Sequence, residues 1–140
     1  MTELTARIVE LLRPPQLAVL ATISDDGKPW ARYVFVAGSE DMTIRFATYA
    51  GSRKVGQIRV NPDVHLTCGA RDPAEMRPYL QIQGRAECST HHEERHGFWK
   101  DSLKNYFKGP DDPNYAVVSI RPYRIELCTP GSIEPEIWQR

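Results

Sequence analysis

A chain of 140 residues is one domain by length, large enough to bury a core without disulfide staples. Its 18 basic and 18 acidic residues cancel, so no global field draws it to nucleic acid or to a membrane surface. No apolar run reaches the roughly 18 residues of a spanning helix, and the opening MTELTARIVELL has acids where a secretion signal has bases; a cytoplasmic protein is expected, with Cys68, Cys88 and Cys128 reduced and packed as small hydrophobes.

Leu4, Ile8, Leu11 and Leu12 recur at helical spacing until Pro14 and Pro15 stop the run, which predicts a short amphipathic helix. The period then changes. LAVLATI (17–23) is continuously apolar, SDDGK supplies a turn on Asp26-Gly27, and WARYVFVA (30–37) completes a hairpin. GSED turns the chain into a third strand, MTIRFATY (42–49). Val55 and Ile58 give residues 54–60 one apolar face, and Asn61-Pro62 ends that short helix. DVHLTCGA (63–70) and YLQIQGRAEC (79–88) alternate as strands, and residues 89–107 return to helical period through Phe98, Leu103 and Phe107. Residues 115–128 form a last long strand, in which Pro122 belongs at an edge or a bulge. Six antiparallel strands with three helices at the joints predict a mainly β (α+β) fold, a small β-barrel with helical caps. A barrel of that size is filled by its own side chains, so a ligand sits outside it or at a subunit interface.

Two short stretches carry chemistry. HEERH (92–96) spells H-E-x-x-H, the zinc-peptidase helix motif. Ser89 or Thr90 can cap its helix, and His92 and His96 then share a face one turn apart. A catalytic zinc site also needs a third ligand, an open position and a dry pocket. Here the motif sits at the wet end of a helix, with His91 before it and Glu94 and Arg95 inside it. The expectation is a solvated first turn, with His96 near Trp99 or Trp30, and no functional metal site.

The second stretch, RFATYAGSRK (45–54), breaks a local rule. Ser52 is a good N-cap, yet Arg53 and Lys54 occupy the first helical turn, where the helix dipole disfavours cations by a few tenths of a kcal/mol. A bound anion would reverse the sign, since free N–H groups, a hydroxyl and two cations are the ingredients of a phosphate site. Arg32 lies within an otherwise apolar strand and needs a partner: the same anion, or Asp25 or Glu40.

The blocks LAVLATISDDGKPWARYVFV, IRFATYAGSRKVGQIRVNPDVHLT, YLQIQGRAE and FWKDSLKNYFKGPDDPNYAVVSIRPYRIEL together resemble the pyridoxamine 5′-phosphate oxidase-like FMN-binding split-barrel family, in its short general stress protein 26 branch. The resemblance covers roughly residues 15–128. It implies a six-stranded antiparallel split β-barrel that dimerises, with FMN in clefts at the interface and residues 1–140 forming one FMN-binding domain. Ser52, Arg53 and Lys54 match the family's phosphate-binding S-R-K, Thr48 and Arg32 its other phosphate contacts, and Tyr33 and Val34 positions whose backbone faces the flavin ring.

Departures accompany the matches. Ala37 replaces a lysine near the ring and Tyr79 a ring-contacting glutamine. The chain ends at SIEPEIWQR, where the vitamin oxidases continue into a substrate-binding segment. The expectation is therefore an FMN-dependent oxidoreductase acting on a small molecule other than pyridoxamine phosphate, with no acid or base assigned; His65 and Tyr106 are available for that role. Trp138 either lies against the flavin or across the dimer, or covers barrel core. The alternatives are a non-catalytic flavin-binding stress protein, or the same fold holding FAD, the deazaflavin F420 or haem.

Overall fold

The computed structural model describes every residue except Met76. The chain runs α1 (Glu3–Leu12), β1 (Gln16–Ile23), β2 (Pro29–Gly38), β3 (Ile44–Tyr49), α2 (Arg53–Val60), β4 (Asp63–Cys68), β5 (Tyr79–Ser89), α3 (His92–Phe98), β6 (Tyr115–Cys128) and β7 (Glu136–Gln139). Six strands pair antiparallel in the order β3-β2-β1-β4-β5-β6, and β3 pairs with β6 to close the barrel.

Closure uses only half of β6. Residues 115–120 pair with β3, but β3 is six residues long and the 14-residue β6 outruns it. The free edge at Arg124–Leu127 is taken by β7, a strand the hydropathy pattern does not announce. Polar edges left open invite other chains, and a short added strand covers this one. Pro122 falls where the β5–β6 register slips between Gln83 and Gly84, so its missing N–H interrupts no regular ladder. Gly84 is required at that slip because a Cβ there would stand 2.8 Å from the Ile120 side chain and 3.1 Å from the Arg121 carbonyl.

Alternation sorts the walls. On β2, Val34 and Val36 are buried while Tyr33 and Phe35 are exposed, so the inner face builds core and the outer face is aromatic. Leu20, Ile44, Phe46, Leu66, Leu80, Ile82, Ile120 and Ile125 fill the interior, each fully buried and each contributing about 1.5–3 kcal/mol by leaving water. The helix α1, capped by the Thr2 hydroxyl accepting from the Thr5 N–H at 3.1 Å, closes one end through Ile8 and Leu12. Gly38 lets it seat, since a Cβ there would come within 2.8 Å of Leu12.

Residues 89–107 are not one helix. Ser89 ends β5, His91 takes the N-cap position of α3 without a side-chain cap, and the Ser89 hydroxyl accepts from the His91 N–H instead. The chain leaves helical geometry at Trp99 (ψ 136°) and resumes as a 3-10 turn at Asp101–Asn105. Successive helical side chains diverge by about 100°. The break lets both Phe98 and Trp99 reach a second, smaller core around Phe107, Tyr115 and Val117.

The turn before β3 also departs from the hydropathy pattern, because Met42 is buried with a left-handed φ of 69° and the strand starts at Ile44. Asp41 holds this conformation, accepting from the Ser39 hydroxyl and, at 3.0 Å, from the Thr43 N–H. Those bonds, the hydroxyl's first, push its carboxyl down to about 2 from the ordinary 3.8. A depressed carboxyl contributes stability that is present above its unfolded pKa and lost as pH falls through the folded one. Asp41→Asn is expected to melt below the parent at neutral pH, with the gap closing between pH 3.8 and about 2; a pH series of thermal melts checks this.

Candidate functional site

Two features meet on the outer side of β2 and β3. The first is a cavity of about 550 Å³, within the size range of small-molecule sites. Tyr33, Phe35, Tyr49, Phe98, Tyr106 and Phe107 line it together with Leu17, Ala37 and Ala47. Phe107 stacks obliquely on Tyr49 at 5.1 Å and on Tyr115 at 5.0 Å, while Trp99 meets Tyr115 edge-on at 5.4 Å, so the wall is braced from behind by aromatic pairs. The GPDDPN loop (109–114) that returns from this wall is tied by Asp112, which accepts from the Lys108 and Asn114 N–H groups at 2.8 and 2.9 Å.

The second feature is cationic. Lys54 reaches the cavity and donates to the Thr48 hydroxyl at 2.9 Å, and the Thr48 and Ser52 hydroxyls are 3.4 Å apart. Ser52 stands at the N-cap of α2 yet makes no side-chain cap bond, and no acid lies in the first turn. The N–H groups of that helix end are therefore uncapped by side chains. The Arg53 guanidinium lies over the Trp30 ring, 4.9 Å from its centre.

Arg32 arrives by an unexpected route. β2 and β3 pair only at Ala37–Arg45 and Gly38–Ile44, far along the strand from Arg32, whose register partner is Leu20 of β1. The side chain instead crosses β1 toward α2. It donates to the Thr22 hydroxyl (2.7 Å), the Gln57 side-chain carbonyl (3.2 Å) and the backbone carbonyls of Trp30 (3.0 Å) and Leu20 (3.3 Å). Thr22 is fully buried and in turn donates to Gln57. Neither Asp25 nor Glu40 pairs with Arg32; Glu40 lies 3.7 Å from Arg13 instead.

All four acceptors of Arg32 are neutral. Among the described residues no carboxylate forms an ion pair with Arg32, Arg53 or Lys54. Burial, and then the charge of Arg53, lowers the Arg32 pKa; burial, and then the charge of Arg32, lowers that of Lys54. Arg32 repelling both Arg53 and Lys54, beside an uncapped helix end and an aromatic cavity, suits a ligand that joins an anion to a flat apolar body.

The sequence profile of the pyridoxamine 5′-phosphate oxidase family matches residues 4–129. The chain belongs to that family. It is 28% identical over 133 residues to general stress protein 26 of Bacillus subtilis, covering 95% of this chain and 94% of that protein. The crystal structure of general stress protein 26 from Bacillus anthracis superposes with a TM-score of 0.83 at 27% identity, over 99% of this chain and all of the other. A pyridoxine/pyridoxamine 5′-phosphate oxidase of Salmonella paratyphi B is 38% identical over 55 residues, which are 39% of this chain and 25% of that enzyme. A structure described as an F420 reductase shares the fold at TM-score 0.65 and 24% identity, over 83% of this chain and 93% of that one.

Set against the site residues expected for a pyridoxamine 5′-phosphate oxidase relative, Tyr33, Val34, Thr48 and Lys54 line the cavity and Ser52 adjoins it through Thr48, whereas Arg32 and Arg53 lie outside its lining and Arg32 bears on it through its charge on Lys54. Ala37 also lines it. Tyr79 does not; it pairs with Cys128 across β5 and β6. Trp138 packs on the main core opposite Ile125, beneath the Arg140 guanidinium. His65 lies in a separate polar recess with Gln81, Gln83, Arg124 and Glu126, where burial lowers its pKa. Of the two groups available as acid or base, only Tyr106 is at the cavity.

Thr22 and Gln57 are the residues that sequence reasoning missed. Gln57 stands one helical turn beyond Lys54, on the side facing Arg32, and that spacing was the available signal. Removing the Thr22 hydroxyl strips a buried partner from both Arg32 and Gln57. Thr22→Val is expected to lose about 1–3 kcal/mol of stability in urea unfolding, and Thr22→Ser much less.

Proposed function

We propose that this chain is an FMN-binding flavoprotein, active as a homodimer and catalysing electron or hydride transfer to or from a small molecule other than pyridoxamine phosphate. The observation that carries the reading is a group of three cations that have no carboxylate partner among the described residues, one of which, Lys54, lines an aromatic cavity. Ser52, Arg53, Lys54, Thr48 and Arg32 would hold the phosphate; Tyr33 and Val34 would lie along the ring. FMN supplies hydride and one-electron chemistry when bound. The protein's own residues bind, orient and exclude water: Thr22 and Gln57 aim Arg32, Thr48 steers the Lys54 ammonium, and Tyr49, Phe98 and Phe107 keep one wall of the cavity apolar.

The exposed faces support the dimer. Tyr33 (75% exposed), Phe35 (61%), Leu17 (63%) and Tyr106 (66%) crowd one side of the cavity, an apolar concentration that a second copy would cover. The three unpaired cysteines suit a reducing compartment, in keeping with a cytoplasmic place of work. No helix among the described residues is long and apolar enough to cross a membrane.

Titration of the apo protein with FMN, followed by quenching of flavin fluorescence, tests the site. Saturable binding is expected, weakened at least tenfold in Arg53→Ala and in Lys54→Ala, each of which removes a charge-assisted bond worth about 1.5–3 kcal/mol. No binding by folded protein overturns the assignment and directs the same titration to FAD, F420 and haem. The mass in solution by light scattering is expected to be twice 16.0 kDa, and Phe35→Glu is expected to reduce it to one chain and to abolish saturable FMN binding.

A further inference from the structure

The HEERH stretch returns in three dimensions with a partner the sequence did not show. α3 presents His92 and His96 one turn apart, their rings stacked with centres 3.9 Å apart. The GPDDPN loop brings in Asp111, fifteen residues beyond His96: its carboxylate lies 2.7 Å from His96 Nε2 and 3.8 Å from His92 Nδ1. One donor atom from each residue falls within 4.8 Å of the other two. We propose that His92, His96 and Asp111 form a surface site for a divalent transition-metal ion such as zinc, nickel or cobalt(II), bridging α3 and the loop.

The donor chemistry is right for that class of ion. Two imidazoles and one carboxylate match borderline metals, whereas calcium and magnesium call for an all-oxygen shell. Bonds of about 2.0–2.2 Å set donors roughly 3–3.5 Å apart around a shared ion. The present separations bracket that spacing, and small rotations of exposed side chains close the difference.

The supporting framework is already in place. Arg95 is tied to the loop, donating to the Asp112 carbonyl at 3.2 Å, while its own carbonyl accepts from the Tyr115 hydroxyl at 2.9 Å; its charge still reaches Asp111, after those of His96 and His92. Asp112 spends its carboxylate on the loop's N–H groups and leaves Asp111 free to face the histidines. Helix and loop are thus locked together immediately behind the three donors, which reduces the ordering cost of binding.

The site is open to water on its outer side, since His92 and Asp111 are each 72% exposed and His96 36%. Water fills the remaining positions, and there is no dry pocket in which Glu93 could act as a base, so the arrangement is a clamp and not a peptidase centre. Its place gives the clamp a consequence. α3 ends at Phe98 and the loop begins two residues after Phe107, and both phenylalanines line the aromatic cavity, so the ion would stiffen that wall whether or not a flavin is bound.

Equilibrium dialysis of the tag-free full chain against cobalt(II), read as bound metal per chain, tests the proposal. One saturating equivalent is expected, with affinity reduced about tenfold or more in His92→Ala and in Asp111→Ala and unchanged in His91→Ala. All three positions are exposed, and a thermal melt of each variant verifies its fold; Asp111→Asn serves as the second carboxylate variant. No bound metal up to millimolar cobalt overturns the site. So does binding that survives the loss of Asp111 undiminished, which reduces the cluster to an adventitious pair of helix histidines.

Discussion

The pairing of β3 with the first half of β6 is the contact on which the rest of the molecule depends. It closes the barrel and, by setting Tyr49 opposite Tyr115, brings the end of β3 beside the small aromatic core. Thr48 is thereby fixed at the cavity, and the three residues that follow Tyr49 deliver the start of α2 to the same place. Cationic cradle and aromatic wall are neighbours because one ladder joins the strands that carry them. The cost of closure is an outrun strand whose surplus edge β7 covers.

Charge is handled differently at the two polar centres. In the cradle, Arg32 is satisfied by neutral oxygens alone, so its hydrogen bonds are met while its charge remains available. Arg32 repels Arg53 and Lys54, and the phosphate of the proposed ligand would relieve that repulsion and offset the two cations that begin α2 against its own dipole. At α3 and the loop beyond it, the His92–His96–Asp111 group carries its carboxylate with it. One centre suits an anionic ligand and the other a cation, and both bear on the segment from Phe98 to Phe107.

The strands of the barrel were legible because alternation has period two and both faces differ in kind: Val34 and Val36 inward, Tyr33 and Phe35 outward. The uncapped, cationic start of α2 at Ser52, Arg53 and Lys54 was legible for the opposite reason, as a local violation of helix chemistry. Residues 89–107 were misjudged as one helix because Phe98, Leu103 and Phe107 keep helical spacing, while the break at Trp99 answers to a core assembled from β6 and the loop before it. β7 was invisible since its four residues alternate weakly and its partner edge exists only after closure. Trp138 was left between flavin contact and core cover, and within the chain it covers core.

Taken alone, the sequence determined the six barrel strands, the two caps at α1 and α2, and the cationic start of α2, because each is written in spacing between near neighbours. Tertiary structure decided which distant groups meet. The Thr22–Arg32–Gln57 triad joins two strands and a helix, and Asp111 reaches His96 across fifteen residues and a 3-10 turn. Contacts of that kind depend on how the barrel closes and on where its loops return, and neither periodicity nor local propensity encodes them.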